Sequence, residues 1–215
     1  MRRRVFLAMG FLMITLAGGM VVIGLMPARG GAAAESDLPV PDPAHGQALD
    51  FRAPAFTLMD TEGRAFASSD LDGRVWVVDF IFTRCQLVCP VMTQRMSLLQ
   101  QRLEEVGLDE VRLVSITVDP EHDTPAVLKA FAEQYGADPE RWTFLSGDRE
   151  KIWRLVQEGF RLALDEDPGN DLMPITHSSR FLVVDRENVV RATFDGLSEA
   201  SMDSLVPYVG ALVAR

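Results

Sequence analysis

The stretch "VWVVDFIFTRCQLVCPVMTQRM", residues 75–96, constrains this chain most. It opens on "VWVVDFIF", an apolar, β-branched and aromatic run of the kind found in strands covered on both faces. Directly behind it stand Cys85 and Cys89, the chain's two cysteines, with three residues between them. Pro90 follows, and proline is favoured at the start of a helix, which is expected to run to about Val106. A buried strand, a cysteine pair and a helix start are therefore consecutive.

The remaining punctuation repeats that alternation. "PAFTLMDTEGRAF" reads as two short strands around "DTEG", and "VRLVSITV" as a second buried strand. Thr124 caps a helix with Pro125 at its first position and Gly136 as its stop. "RWTFLS" reads as a strand, "DREKIWRLVQEGF" as a helix and "FRLAL" as an edge strand. "DEDPGNDLMPIT" reads as a polar loop, and "SSRFLVVDRENVVRATFDG" as a hairpin turning at "DREN". A last helix follows Ser198 and is expected to be strained or interrupted at Pro207. The expected fold is α/β, a thioredoxin-like mixed sheet flanked by helices, over residues 50–215.

Residues 1–49 have a different character. Arg2, Arg3 and Arg4 form a basic stub before an uncharged apolar run, residues 5–26. As helix that run spans about 33 Å, enough for a bilayer core. The arginines place the stub in the cytoplasm and the rest of the chain on the exported side. This predicts a single-pass anchor in the inner, cytoplasmic membrane with the C-terminal domain periplasmic or in an equivalent exported space. The rival reading is a signal peptide cleaved after Ala32–Ala34. Residues 27–49 read as a linker rich in Pro, Gly and Ala, in which His45 is a solvated side chain. The formal charge is −10, and residues 1–34 hold four Arg and no acid, so residues 35–215 carry −14. So acidic a domain repels nucleic-acid backbones, and nucleic acid is excluded as a partner.

Open N–H groups at a helix start favour thiolate, the form that attacks disulfides and binds metals. Three intervening residues let the sulfurs of Cys85 and Cys89 splay around a soft cation, while a disulfide between them stays sterically accessible. A mere structural staple would gain little from so short a loop. His177 ends the polar loop before the strand "SSRFLVVD" and is the candidate third ligand. Two thiolates and an imidazole suit Cu(I), and zinc accepts the same set.

Three motifs, "FTRCQLVCP", "SITVDPEHDTP" and "THSSRFLVVD", stand in the order found in Sco/SenC-type copper chaperones, which the chain resembles over about residues 50–213. That resemblance implies a thioredoxin-like fold and copper, as Cu(I) with Cu(II) the alternative, held by Cys85, Cys89 and His177. It implies a role in assembling the binuclear copper site of cytochrome c oxidase. The partners would be the copper-accepting oxidase subunit and a second copper chaperone. The implied protein is a metallochaperone more than a turnover enzyme. Asp119 matches an acid with a supporting role in copper binding or thiol chemistry, against the plain reading of Asp-Pro as turn chemistry. Gln86 stands where the family usually has proline, and His122 where it usually has arginine; His122 reads as a surface residue. Met92 and Met96 read as core, and Met173 as unassigned. The alternative function is a membrane-tethered thiol–disulfide oxidoreductase. In it Cys85, the more exposed thiol, attacks a partner's disulfide and Cys89 resolves it. A thiol peroxidase on the same scaffold ranks third.

Overall fold

The computed structural model describes residues 39–42, 45–170 and 172–215. The expected anchor and most of the linker lie outside these residues. Among the described residues no helix is long and apolar enough to cross a membrane.

The centre of the domain is the strand foreseen from its apolar run. β4 (Trp76–Ile81) is buried at every residue. It pairs in parallel with β5 (Arg112–Thr117), and β5 in parallel with β6 (Trp142–Ser146). The antiparallel strands β1 (Gly46–Arg52), β2 (Thr57–Asp60), β3 (Ala65–Ala67), β9 (Arg180–Val184) and β10 (Val189–Asp195) complete the sheet. Its order is β1-β10-β9-β4-β5-β6-β2-β3.

Side-chain alternation along β4 sorts the layers. Trp76 and Phe80 meet the edge of Phe160, with ring centroids 6.4 and 5.3 Å away. Phe160 follows α3 (Arg149–Arg154) and a wider π-type turn, Leu155–Gly159, so this helical segment covers that face. A Cβ on Gly159 would sit 2.8 Å from Pro54 Cγ, so the close approach needs a glycine. Asp79 points to the opposite face. There Ser115 Oγ donates to Asp79 Oδ1 (2.6 Å), and Trp142 Nε1 donates to Ser115 Oγ (2.9 Å). Trp142 and Phe144 stack beneath Phe131 of α2 (Pro125–Gln134). The α2 end is tied to α1 (Cys89–Glu105) by Ser97 Oγ donating to Tyr135 O. α4 (Glu199–Val213) packs on α1 through Arg95–Glu199 and Arg102–Asp203. Helices therefore lie on both faces of a mixed sheet, as expected.

Three details differ from the sequence reading. β1 begins at Gly46, inside the expected linker; its mostly exposed side chains carry no apolar period, and backbone pairing with β10 holds it. α4 runs through Pro207 without a break, because buried Met202, Leu205, Tyr208 and Val209 anchor it on both sides. The expected edge strand starts later and leaves the main sheet. β7 (Leu164–Glu166) pairs only with β8 (Ile175–His177), so the polar loop is a short hairpin whose last residue is His177.

Candidate metal centre

Parallel pairing places the ends of β4 and β5 side by side. β9 runs antiparallel to β4, with Trp76 opposite Val184 and Val78 opposite Leu182. Continuing that register carries residues 177–179 past the end of β4. Three connections thus converge: the loop with Cys85, the turn with Asp119, and the β8–β9 link with His177.

Cys89 occupies the first turn of α1 with Pro90 beside it. Its backbone N–H donates to Cys85 Sγ at 3.5 Å, and its own Sγ lies 3.2 Å from His177 Nε2. The His177 ring stands edge-on to Phe82, centroids 5.5 Å apart. Its Nδ1 is 3.1 Å from Ser178 O. A carbonyl oxygen only accepts, so Nδ1 carries a hydrogen and Nε2 is the ring nitrogen turned to Cys89. No disulfide joins the two cysteines.

The expectation that Cys85 is the more exposed thiol is met only in rank. Cys85 is 4% exposed, Cys89 0% and His177 9%. The loop Arg84–Val88 closes over them, and Gln86 N–H donates to Leu172 O on the β7–β8 side. Leu87, Val91 and Leu172 are exposed.

The two sulfurs are unequal. The Cys89 thiol pulls the Cys85 pKa well down, helped by His177 and the backbone N–H groups of Cys89 and Leu87, while burial opposes it. Cys89 is pushed up, first by the same contact with Cys85 and then by burial. The contact therefore favours loss of the first proton of the pair and opposes loss of the second, and the two thiols titrate as a unit. Among the described residues no group of three His, Cys, Asp and Glu side chains stands as a ready-made metal cage. The three donors are drawn together by hydrogen bonds instead.

The carboxylates around the loop have other tasks. Asp119, 4% exposed, accepts from Arg84 Nε at 2.5 Å and from none of the three donors. Asp123 accepts from Thr83 N–H, Thr83 Oγ1 and Thr117 Oγ1, tying the cysteine loop to the end of β5. Burial raises its pKa against those hydrogen bonds. The sequence reading passed over Asp123, Arg84 and Asp79. Asp79 had a visible signal, an acid inside a strand expected to be wholly buried. His122 is exposed in the turn, its N–H donating to Asp119 O. Met92 and Met96 are core residues of α1, and Met173 is half-buried.

The chain is similar to known proteins over most of its described length. The SCO1/SenC family model matches residues 45–206. The chain belongs to the SCO1/SenC family. The SCO1 protein homolog of Bacillus subtilis (strain 168) is 33% identical over 159 residues, 74% of this chain and 81% of that protein. BsSco, described as a Sco-family cytochrome c oxidase assembly protein with a disulfide switch, superposes with a TM-score of 0.69. It is 31% identical, over 77% of this chain and 95% of that one. Bradyrhizobium japonicum ScoI with copper bound gives a TM-score of 0.62 and 27% identity, over 74% of this chain and 99% of that one. The thioredoxin-like expectation is met by this Sco fold.

Proposed function

We propose that this chain is a copper chaperone that holds Cu(I) through Cys85, Cys89 and His177 and assists assembly of the copper site of cytochrome c oxidase. The observation that carries the reading is the 3.2 Å contact between Cys89 Sγ and His177 Nε2, residues 88 apart in sequence. A soft sulfur and an imidazole nitrogen face each other, with a second sulfur adjoining. Two thiolates and one imidazole are a donor set suited to Cu(I). In a tetrahedral site with metal–sulfur near 2.3 Å and metal–nitrogen near 2.0 Å, sulfur and nitrogen stand about 3.5 Å apart. Metal entry therefore needs the pair to open by a few tenths of an ångström. Burial means that the Arg84–Val88 loop must also move for copper to pass to a partner by ligand exchange.

The family relationship supports the rest of the reading. The partners are the copper-accepting oxidase subunit and a second chaperone that supplies the metal. Residues 5–26 anchor the chain in the inner membrane, and the domain works on the exported side. Asp119 serves through Arg84, by holding the loop next to Cys85.

A second reading is favoured by the coupled thiols. A pair that readily holds one thiolate beside one thiol is the arrangement for attack on a disulfide and then resolution. The chain would then reduce the cysteines of its partner's copper site.

Anaerobic competition for Cu(I) against a chromogenic chelator decides between them. One tightly held copper per chain is expected, lost in Cys85→Ser and Cys89→Ser and weakened at least about tenfold in His177→Ala. Copper binding no stronger than in the double-cysteine variant, with rapid copper-free reduction of a partner disulfide, would establish the reductase.

A further inference from the structure

The β7–β8 hairpin carries His177, yet its strands pair only with each other. Its position must be fixed from outside its own ladder. The helical segment Arg149–Gly159 is built to do so. Ile152, Val156 and the following Phe160 are buried, and Phe160 meets Trp76 and Phe80 of β4. Trp153 Nε1 donates to Val118 O at 2.9 Å, just past the end of β5, and the Arg149 guanidinium lies 4.2 Å over the Trp153 ring. The segment is therefore fixed to the two central strands whose ends carry the site.

Two side chains of this segment reach the hairpin. Arg149 pairs with Glu166, but Glu166 is exposed, and so open a pair holds little. Gln157 makes the more specific contact. Its Nε2 donates to Leu164 O at 2.8 Å, and Leu164 is the residue opposite His177 across the hairpin. The bond therefore holds backbone, not a movable side chain, at the rung that carries the imidazole. Gln157 stands in the middle of the π-type turn, in which Phe160 N–H donates to Leu155 O five residues back. Such turns are rare and occur often at functional sites. Arg161, at φ 60°, then leads the chain toward β7 in a conformation that a non-glycine residue holds only where the surrounding fold imposes it.

We propose that Gln157 is a positioning residue for His177: its amide holds the hairpin at the rung that brings the imidazole Nε2 to Cys89 Sγ. The inference rests on the copper reading above. Gln157 acts through the Leu164 carbonyl and not through the ring, so it passes the rigidity of β4 and β5 to the weakest element of the site. Binding geometry must be held to within about 0.5 Å, which a free three-residue ladder does not do by itself. Groups that orient a metal ligand without touching the metal matter almost as much as the ligand, and losing one weakens binding about 10- to 100-fold.

The test compares Gln157→Glu, which keeps the size but sets a carboxylate where a donor is needed, with Gln157→Lys, which keeps a donor. Charge alone would act the other way, since an added negative charge favours a bound cation and an added positive charge opposes it. Both variants are made in the reduced full-length chain, and the exposed position should leave folding intact. In the copper-free protein the His177 ring resonances, assigned by their loss in His177→Ala, should move toward those of free imidazole in Gln157→Glu and stay in place in Gln157→Lys. Cu(I) affinity by chelator competition should fall about tenfold in Gln157→Glu and less than about twofold in Gln157→Lys. In the His177→Ala background Gln157→Glu should have no further effect. Unmoved ring resonances in Gln157→Glu, an equal loss of affinity in Gln157→Lys, or a loss that adds to that of His177→Ala would overturn the proposal. Absence of Cu(I) uptake by the wild type would instead sink the copper reading, and the copper-free ring resonances would then judge Gln157 by themselves.

Discussion

The two halves of the candidate site are built differently. The cysteine half sits between the most buried strand of the domain and a 17-residue helix. The histidine half hangs on two three-residue strands that pair with each other and not with the main sheet. The first half is rigid because its backbone is shared with the core. The second has few ladder bonds of its own and is held by Phe82, Cys89 and Ser178. A site that must hold a ligand and later release it can place its movable donor on the weaker element.

That contrast can be broken or sharpened. Phe80→Ala should cost most, about 3–5 kcal/mol, because it empties the contact between β4 and Phe160. Urea unfolding reads the loss, and a loss below about 1 kcal/mol would deny β4 its central role. Asp79→Asn comes next, and its effect depends on pH. The carboxyl titrates near 7 in the fold and near 3.8 unfolded, so between those values the folded state binds the extra proton. Wild-type stability therefore falls as pH rises through that window. The variant should be more stable than wild type by about 2–4 kcal/mol at pH 8 and lose that advantage below about pH 4.

Leu164→Ala, in the weaker half, should cost about 2 kcal/mol at most. Its larger signature should be a roughly tenfold loss of Cu(I) affinity, because it loosens the element that aims His177. Equal stability losses for Phe80→Ala and Leu164→Ala, with copper binding intact in the latter, would erase the distinction. The smallest effect belongs to Arg84→Gln. The Arg84 side chain is half-exposed, so losing its pair with Asp119 should cost under about 1 kcal/mol. Faster alkylation of Cys85 should reveal the loosened loop.

The same contrast explains what could be read in advance. β4, α1, β5 and α2 carry short-range signals: an unbroken apolar run, Pro90 at a helix start, Thr124 as a cap whose side chain accepts from Val127 N–H, and Gly136 at φ +67°. β1 and the β7–β8 hairpin carry none: β1 is mostly exposed, the hairpin strands are three residues long, and both exist through pairing with a distant or equally weak partner. Pro207 misled for a related reason: the local penalty is real, but a buried face on both sides outweighs it.

By itself the sequence determined the strand–cysteine–helix order, the identity of the two sulfurs and the family motifs that single out His177, because local chemistry and chain order carry that information. Only the tertiary structure decided that His177 meets Cys89 rather than solvent, that Asp119 is engaged by Arg84, and that Asp79 is left with an unpaired oxygen behind the thiols. Those outcomes depend on strand register and burial across 35 to 88 residues of chain, and no local pattern encodes them.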